Sequence, residues 1–410
     1  MLKIKKALLL LLLSALVWET ALAQKEFKPF EGRFEDVKTQ AQKENKLILI
    51  DLYFEGCMPC KKMDQEVFPN EKVLAVLNPN YITYKTDVFK EEDGKKLSRK
   101  YAVSGFPTYI LMDANGNTIL LESGFLGVDR FIPLLKRGME LKQQGIYLTY
   151  DTNLDKEYPA FYSDRYFKTG HRISAEALNN FMDQQTDAFD ELTYTIGSLG
   201  MSAKYNAWIF QHIPDLRGKY GDNGLRNAVT ATAQAKARKF GTAHQLDSLQ
   251  HMLEYVKPVF TERLWTVYLP KWITEFYKAD QDATRYLELI ANYDLYQNWE
   301  QRSNALGQVI IDQRNNQPLL QQLKEEYAQQ QKKEVLHFTD TYKIAVLDIF
   351  LGNFEEAAIA LATLEKMDLS TQYPKLEKAD LQSMKDALIE KNSAALVAKD
   401  LQRPLPFSMD

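Results

Sequence analysis

The chain has 410 residues, 45% of them hydrophobic and 26% charged, with a formal net charge of −4. This is the make-up of a globular protein long enough for two or three domains, each with its own core. The mild acidity argues against nucleic acid as a partner, and two cysteines in all leave no framework of disulfide staples.

The first segment, MLKIKKALLLLLLSALVWETALAQ, has Lys3, Lys5 and Lys6, an apolar run of 11 residues from Ala7 to Val17, and small residues Ala21 and Ala23 before Gln24. This pattern predicts a secretory signal peptide over 1–23, cleaved after Ala23, and therefore a periplasmic or secreted protein. A membrane anchor needs about 20 apolar residues, and Glu19 ends this run early. No cysteine follows it to carry an N-terminal lipid, and no later stretch is apolar enough to span a bilayer.

Both cysteines, Cys57 and Cys60, stand in LILIDLYFEGCMPCKKMDQEVF, residues 47–68. As a staple the pair is badly placed. A loop of about 4 residues gains roughly 2 kcal/mol in the chain-entropy model, against about 4.7 kcal/mol for a 100-residue loop. Zinc wants four ligands, and the histidines at 171, 212, 244, 251 and 337 offer no pair at ligand spacing. LILIDLYF reads as a buried strand, being short, apolar and rich in β-branched and aromatic residues. CMPCKKMDQEVF reads as the start of a helix, with Pro59 in the first turn, where a missing N–H costs nothing. Cys57 then sits at the helix N-terminus, where free N–H groups and the macrodipole favour a thiolate. Cys60 follows at i+3, close enough for a disulfide. One cysteine attacks and the other resolves, which is dithiol–disulfide exchange and needs no cofactor or metal.

With these residues in place the segment resembles the thioredoxin superfamily. Asp51 stands six residues before Cys57, as the family's buried acid does, and Pro59 and Lys61 match the end of its x-P-C-K motif. YAVSGFPTYILMDANGNTILLESGF is similar to the family's cis-proline loop and the hairpin after it, with Pro107 at the cis position and Asp113–Gly116 as the turn. The resemblance covers roughly residues 30–142. It implies an α/β domain with a central mixed sheet flanked by helices. Cys57 would be the nucleophile, Cys60 the resolving thiol, and Asp51 the acceptor of its proton. Pro107, with Phe106 and Met58, would line the groove for an extended substrate segment. Gly56 departs from the family by replacing its usual Trp, so the aromatic lid on that side is absent. Lys85, in YITYKTDVF, is the candidate for the lysine that the family often places near its buried acid.

From about Tyr158 the pattern becomes helical. SAEALNNFMDQQTDAFDELTYTI, GLRNAVTATAQAKARKF, ATRYLELIANYDLY and EQRSNALGQVIIDQ carry apolar residues at i, i+3, i+4 and i+7, with Gly and Pro between segments. About ten helices in antiparallel pairs are expected, with most Tyr and Trp in the core. AVLDIFLGNFEEAAIALATLEKM is similar to one tetratricopeptide unit, without a regular period of about 34 residues around it. The predicted organisation is a signal peptide over 1–23, a thioredoxin-like domain over 24–145 and an all-α domain of irregular helix pairs over 146–410.

The expected activity is exported thiol–disulfide exchange on protein disulfides. Met58–Pro59 holds no charge to stabilise a thiolate, which tilts the expectation toward a reductant supplied by a membrane electron donor. The helical part would bind a protein partner through a concave face. The alternatives are a disulfide isomerase or oxidase, or a non-catalytic peptide-binding or chaperone module on the same fold.

Overall fold

The structure, a computed structural model, describes residues 26–367 and 374–403. The expected signal peptide lies outside the described residues. Two compact units are present. One runs through Lys236 and includes Gln250–Trp265; the other comprises Ala237–Leu249 and the chain from Thr266 onward.

The first unit is built on a four-stranded sheet of order β2-β1-β3-β4. β1 (Leu47–Tyr53) is the strand expected from LILIDLYF, and it runs parallel to β2 (Tyr81–Asp87) and antiparallel to β3 (Thr108–Met112). β4 (Thr118–Ser123) completes the β3 hairpin. A strand paired on both sides and covered on both faces is expected to be continuously apolar, and six of the seven β1 residues are buried. The exception in chemistry is Asp51.

Five helices frame the sheet: α1 (Phe34–Glu44), α2 (Met58–Lys62), α3 (Glu71–Asn80), α4 (Glu92–Lys100) and α5 (Val128–Gln143). α2 continues into a π-turn over Met63–Val67, closed by Phe68 N donating to Met63 O at 2.9 Å. That extra residue in the turn accompanies the burial of Met63, Val67 and Phe68 in the core with Leu49, Tyr109, Leu111 and Phe131.

Helices Ala160–Phe167 through Ile213–Tyr220 belong to this same unit. They are tied to the sheet domain by a buried ion pair, Lys100 Nζ to Glu191 Oε1 at 2.8 Å, and Arg226, at the start of the next helix, donates from Nη2 to Glu122 Oε2 at 3.0 Å. The Arg99 guanidinium lies 4.5 Å from the Tyr158 ring centroid. Burial holds the Lys100 ammonium below its ordinary value, with Glu191 acting in the opposite sense.

The regular elements described in the second unit are all helices. Its core includes Leu306, Ile310, Leu323, Tyr327, Tyr342 and Leu347, so these tyrosines are core as expected. A polar network runs through it. Fully buried Asp340 accepts from Trp299 Nε1 at 3.1 Å and pairs with Arg403, while Lys343 Nζ donates to Ser303 O at 2.8 Å. Burial brings Lys343 down to about 8. The segment from Leu396 to Arg403 is held to these helices as well. Lys399 N donates to the Tyr342 hydroxyl at 2.9 Å, and Arg403 N to Asn304 Oδ1 at 2.8 Å. The tetratricopeptide-like stretch forms two helices, Phe338–Leu351 and Phe354–Lys366, joined at Gly352 in the left-handed conformation (φ 77°).

From Ala160 onward fourteen α-helices are present among the described residues, more than the ten expected. SAEALNNFMDQQTDAFDELTYTI shows why. It splits into Ala175–Met182 and Glu191–Gly197, because Asp190 caps a new helix by accepting from Leu192 N at 2.9 Å. The opposite error occurs at Pro270, read as punctuation but found inside the helix Glu262–Asp280. The stripe Leu269, Trp272, Ile273, Phe276 and Tyr277 is buried along that helix. The burial outweighs the one backbone hydrogen bond the proline removes.

Candidate functional site

The site begins where β1 leaves the sheet. Cys57 N donates to Phe54 O at 3.1 Å, closing a turn over Phe54–Cys57. Gly56, third in that turn, has φ +92°, which a type II turn requires and a side chain disfavours. This accounts for the departure noted at Gly56: the backbone conformation demands glycine, although space for a side chain is open. Gly56→Ala is expected to destabilise the fold by about 1–2 kcal/mol, measured as a lower denaturant midpoint with an unchanged slope. An unchanged midpoint would show that the turn relaxes freely.

Cys57 is the N-cap of α2, and its Sγ accepts from Cys60 N at 3.2 Å. A thiolate there would receive a backbone N–H at the positive end of the helix. Cys57 and Cys60 form a disulfide with Cα atoms 5.3 Å apart. Both are buried, at 6% and 3% exposure, whereas Met58 between them is 64% exposed.

Asp51 is buried in β1, at 1% exposure. Lys85 Nζ pairs with Asp51 Oδ2 at 2.8 Å. Register explains the pairing, since Asp51 on β1 stands opposite Lys85 on β2. Lys85 is shared with Asp64, which the π-turn carries. Burial raises the Asp51 carboxyl above its ordinary value, and the Lys85 charge only partly offsets this.

The Phe106–Pro107 bond is cis, as the resemblance implies, and Pro107 is buried just before β3. The pairing of Leu52 with Thr108 and of Tyr53 with Asp87 brings the Cys57 turn, the loop after β2 and the Pro107 loop to one end of the sheet. There Phe106 meets two residues that sequence reasoning missed. Its ring centroid is 5.2 Å from that of Phe54 and 6.4 Å from that of Phe89, and Phe54 and Phe89 are 5.5 Å apart. Phe89 is 64% exposed. An aromatic surface is therefore present without the tryptophan, assembled from three loops. The available signals were weak: Phe54 three residues before Cys57, and a large apolar residue in an otherwise charged loop.

Asp87, also missed, is buried where these loops meet. Its Oδ2 accepts from Glu55 N at 3.0 Å, and its Oδ1 from Phe89 N at 2.8 Å and Lys90 N at 3.1 Å. Among the described residues no group of three or more His, Cys, Asp or Glu is arranged to hold a metal ion.

A cis-proline loop beside a C-x-x-C disulfide at a helix start, on a sheet of this order, defines a thioredoxin-superfamily domain. Residues 34–138 match the family model of the thioredoxin-like domain, and a helical extension follows it. At the level of individual proteins, 99 residues are 30% identical to the thiol:disulfide interchange protein DsbD of Yersinia pestis (strain Pestoides F), covering 23% of this chain and 16% of the relative. The proteins of the same name from Colwellia psychrerythraea and Haemophilus influenzae (strain PittEE) are each 26% identical, over 104 and 119 residues. Those matches cover 24% and 28% of this chain and 17% and 20% of the relatives. The chain thus spans a fifth or less of the length of these curated relatives. Together the domain and the disulfide point to a role in thiol–disulfide redox chemistry.

Proposed function

We propose that the protein is an exported thiol–disulfide oxidoreductase that reduces protein disulfides through Cys57 and Cys60. The observation that carries this reading is the buried Cys57–Cys60 disulfide at the start of α2, with the cis-Pro107 loop at the same end of the sheet. In the reduced protein the Cys57 thiolate attacks one sulfur of a partner disulfide. The partner's S–S bond breaks, a mixed disulfide forms and the first partner thiolate leaves. Cys60, having lost its proton to Asp51, attacks the Cys57 sulfur. This re-forms the Cys57–Cys60 bond, releases the second partner thiolate and passes two electrons to the partner. A buried carboxylate whose proton affinity is raised by burial suits the acceptor role, with Lys85 beside it as counter-ion. Pro107, Phe106 and Met58 line the docking surface. The relatives' name, thiol:disulfide interchange protein, supports the reaction class. No helix among the described residues is long and apolar enough to cross a membrane. The reading assigns the chain to the periplasm or the exterior, with a membrane carrier of electrons as donor.

The chemistry belongs to residues 24–145 in this reading, and 146–410 select the protein partner. Cys60→Ser in the full chain should accumulate adducts through Cys57 that dithiothreitol releases; an absence of such adducts would favour a non-catalytic binding module. Ile359 and Ile389 are 70% and 81% exposed on the helical unit. Replacing both by Ser in the Cys60→Ser protein should change which partners are trapped. The same partners in the same proportions would return the helical region to a role in stability or assembly.

A further inference from the structure

We propose that Asp87 is a positioning residue that locks the Cys57 turn to the loop after β2, and that the resulting Phe54–Phe89–Phe106 surface selects disulfides flanked by an apolar side chain. The proposal rests on the exchange reading above and specifies which protein disulfides the site accepts.

One carboxylate reaches both loops. Oδ2 takes the amide of Glu55, two residues before Cys57, and Oδ1 takes the amides of Phe89 and Lys90. Asp87 is 3% exposed, so these bonds are shielded from competing water. The loops are also linked by Val88 N donating to Tyr53 O at 2.9 Å and by the Lys90–Glu55 ion pair. That pair is well exposed on both sides and holds little by itself. Gly94 on α4 confirms how closely the chain packs behind Asp87: a Cβ there would meet Asp87 O at 2.5 Å. The Asp87 backbone is thereby backed by a helix while its side chain faces the loops.

The consequence falls on the phenylalanines. Phe54 precedes Glu55, and Phe89 carries one of the amides Asp87 holds. Their ring separation of 5.5 Å depends on both anchors. With Phe106 they present an apolar face continuous with the cis-proline loop. Glu55 and Lys90 neutralise each other at its rim, which leaves an apolar side chain as the matching partner feature. A small disulfide needs only the cysteines. A protein disulfide must also seat its neighbouring residue, and errors in seating reduce rate steeply.

Asp87→Asn separates these effects. An amide side chain has one acceptor oxygen, so it can keep the Glu55 anchor or the Phe89–Lys90 anchor, but not both. The pre-reduced full-length protein is mixed in single turnover with insulin and, separately, with 2-hydroxyethyl disulfide. Asp87→Asn and Phe89→Ala should each slow the reaction with insulin by about tenfold or more while keeping that with the small disulfide within about twofold. In Asp87→Asn, amide exchange at Glu55 or Phe89 should also accelerate. Parallel loss with both disulfides, or rates with insulin equal to those of the wild type, would overturn the proposal. If Asp87→Asn does not fold, Phe89→Ala decides, since that side chain is largely exposed. A wild-type protein inert to both disulfides overturns the exchange reading and this proposal with it. A wild type active on both and unaffected by either substitution overturns only the present one.

Discussion

Cys57→Ser is expected to reduce dithiothreitol-driven reduction of insulin to the uncatalysed rate. The argument rests on position. Cys57 caps α2, its sulfur accepts a backbone N–H from Cys60, and it lies at the end of the sheet that carries the cis-proline loop. A serine hydroxyl in the same place has neither the acidity nor the nucleophilicity to open a disulfide. Cys60→Ser should also stop turnover, but at the second step, leaving the first attack intact. In the reduced wild type, alkylation should be faster at Cys57 than at Cys60, because only the former receives the full field of the helix end. Wild-type rates in Cys57→Ser would remove the catalytic reading. Faster alkylation of Cys60 would exchange the nucleophile and the resolving thiol.

Asp51→Asn should have opposite effects on rate and stability. Losing the proton acceptor for Cys60 should slow resolution of mixed disulfides on the order of a hundredfold, and their formation much less. Stability should rise at pH 7. Burial raises the folded-state pKa of Asp51, so the folded protein holds this proton to higher pH than the unfolded chain does. The contribution is therefore favourable below the unfolded value near ~3.9. It is lost as pH rises through the folded value, above which a buried charge is carried with Lys85 as counter-ion. Asparagine removes that cost, and Lys85 keeps Asp64. The unfolding midpoint of Asp51→Asn should exceed that of the wild type at pH 7, and the gap should close toward pH 4. Lower stability at pH 7 would mean the Asp51–Lys85 pair is net stabilising; unchanged resolution would make Asp51 a structural residue only.

Local patterns carried much of the sheet domain. An apolar run of strand length, a proline in a first helical turn and GFPT before two apolar segments place β1, the Cys57–Cys60 helix and the cis-proline loop in the sequence itself. Helix count was less legible. Caps such as Asp190 divide helices inside continuous apolar patterns, and Pro270 does not end its helix, because burial of a whole stripe outweighs one missing hydrogen bond.

The sequence by itself determined the motif of the site, because the two cysteines and the proline between them lie within one helical turn, beginning six residues after Asp51 on the preceding strand. Only the tertiary structure decided what surrounds that motif. Lys85 meets Asp51 through parallel strand register, and Asp87 ties together loops more than thirty residues apart. Phe54, Phe89 and Phe106 come together because three loops lie at the same end of one sheet. Periodicity reports which face of an element is apolar. It carries no information on which distant elements become neighbours, since strand pairing and loop closure are set by packing of the whole chain.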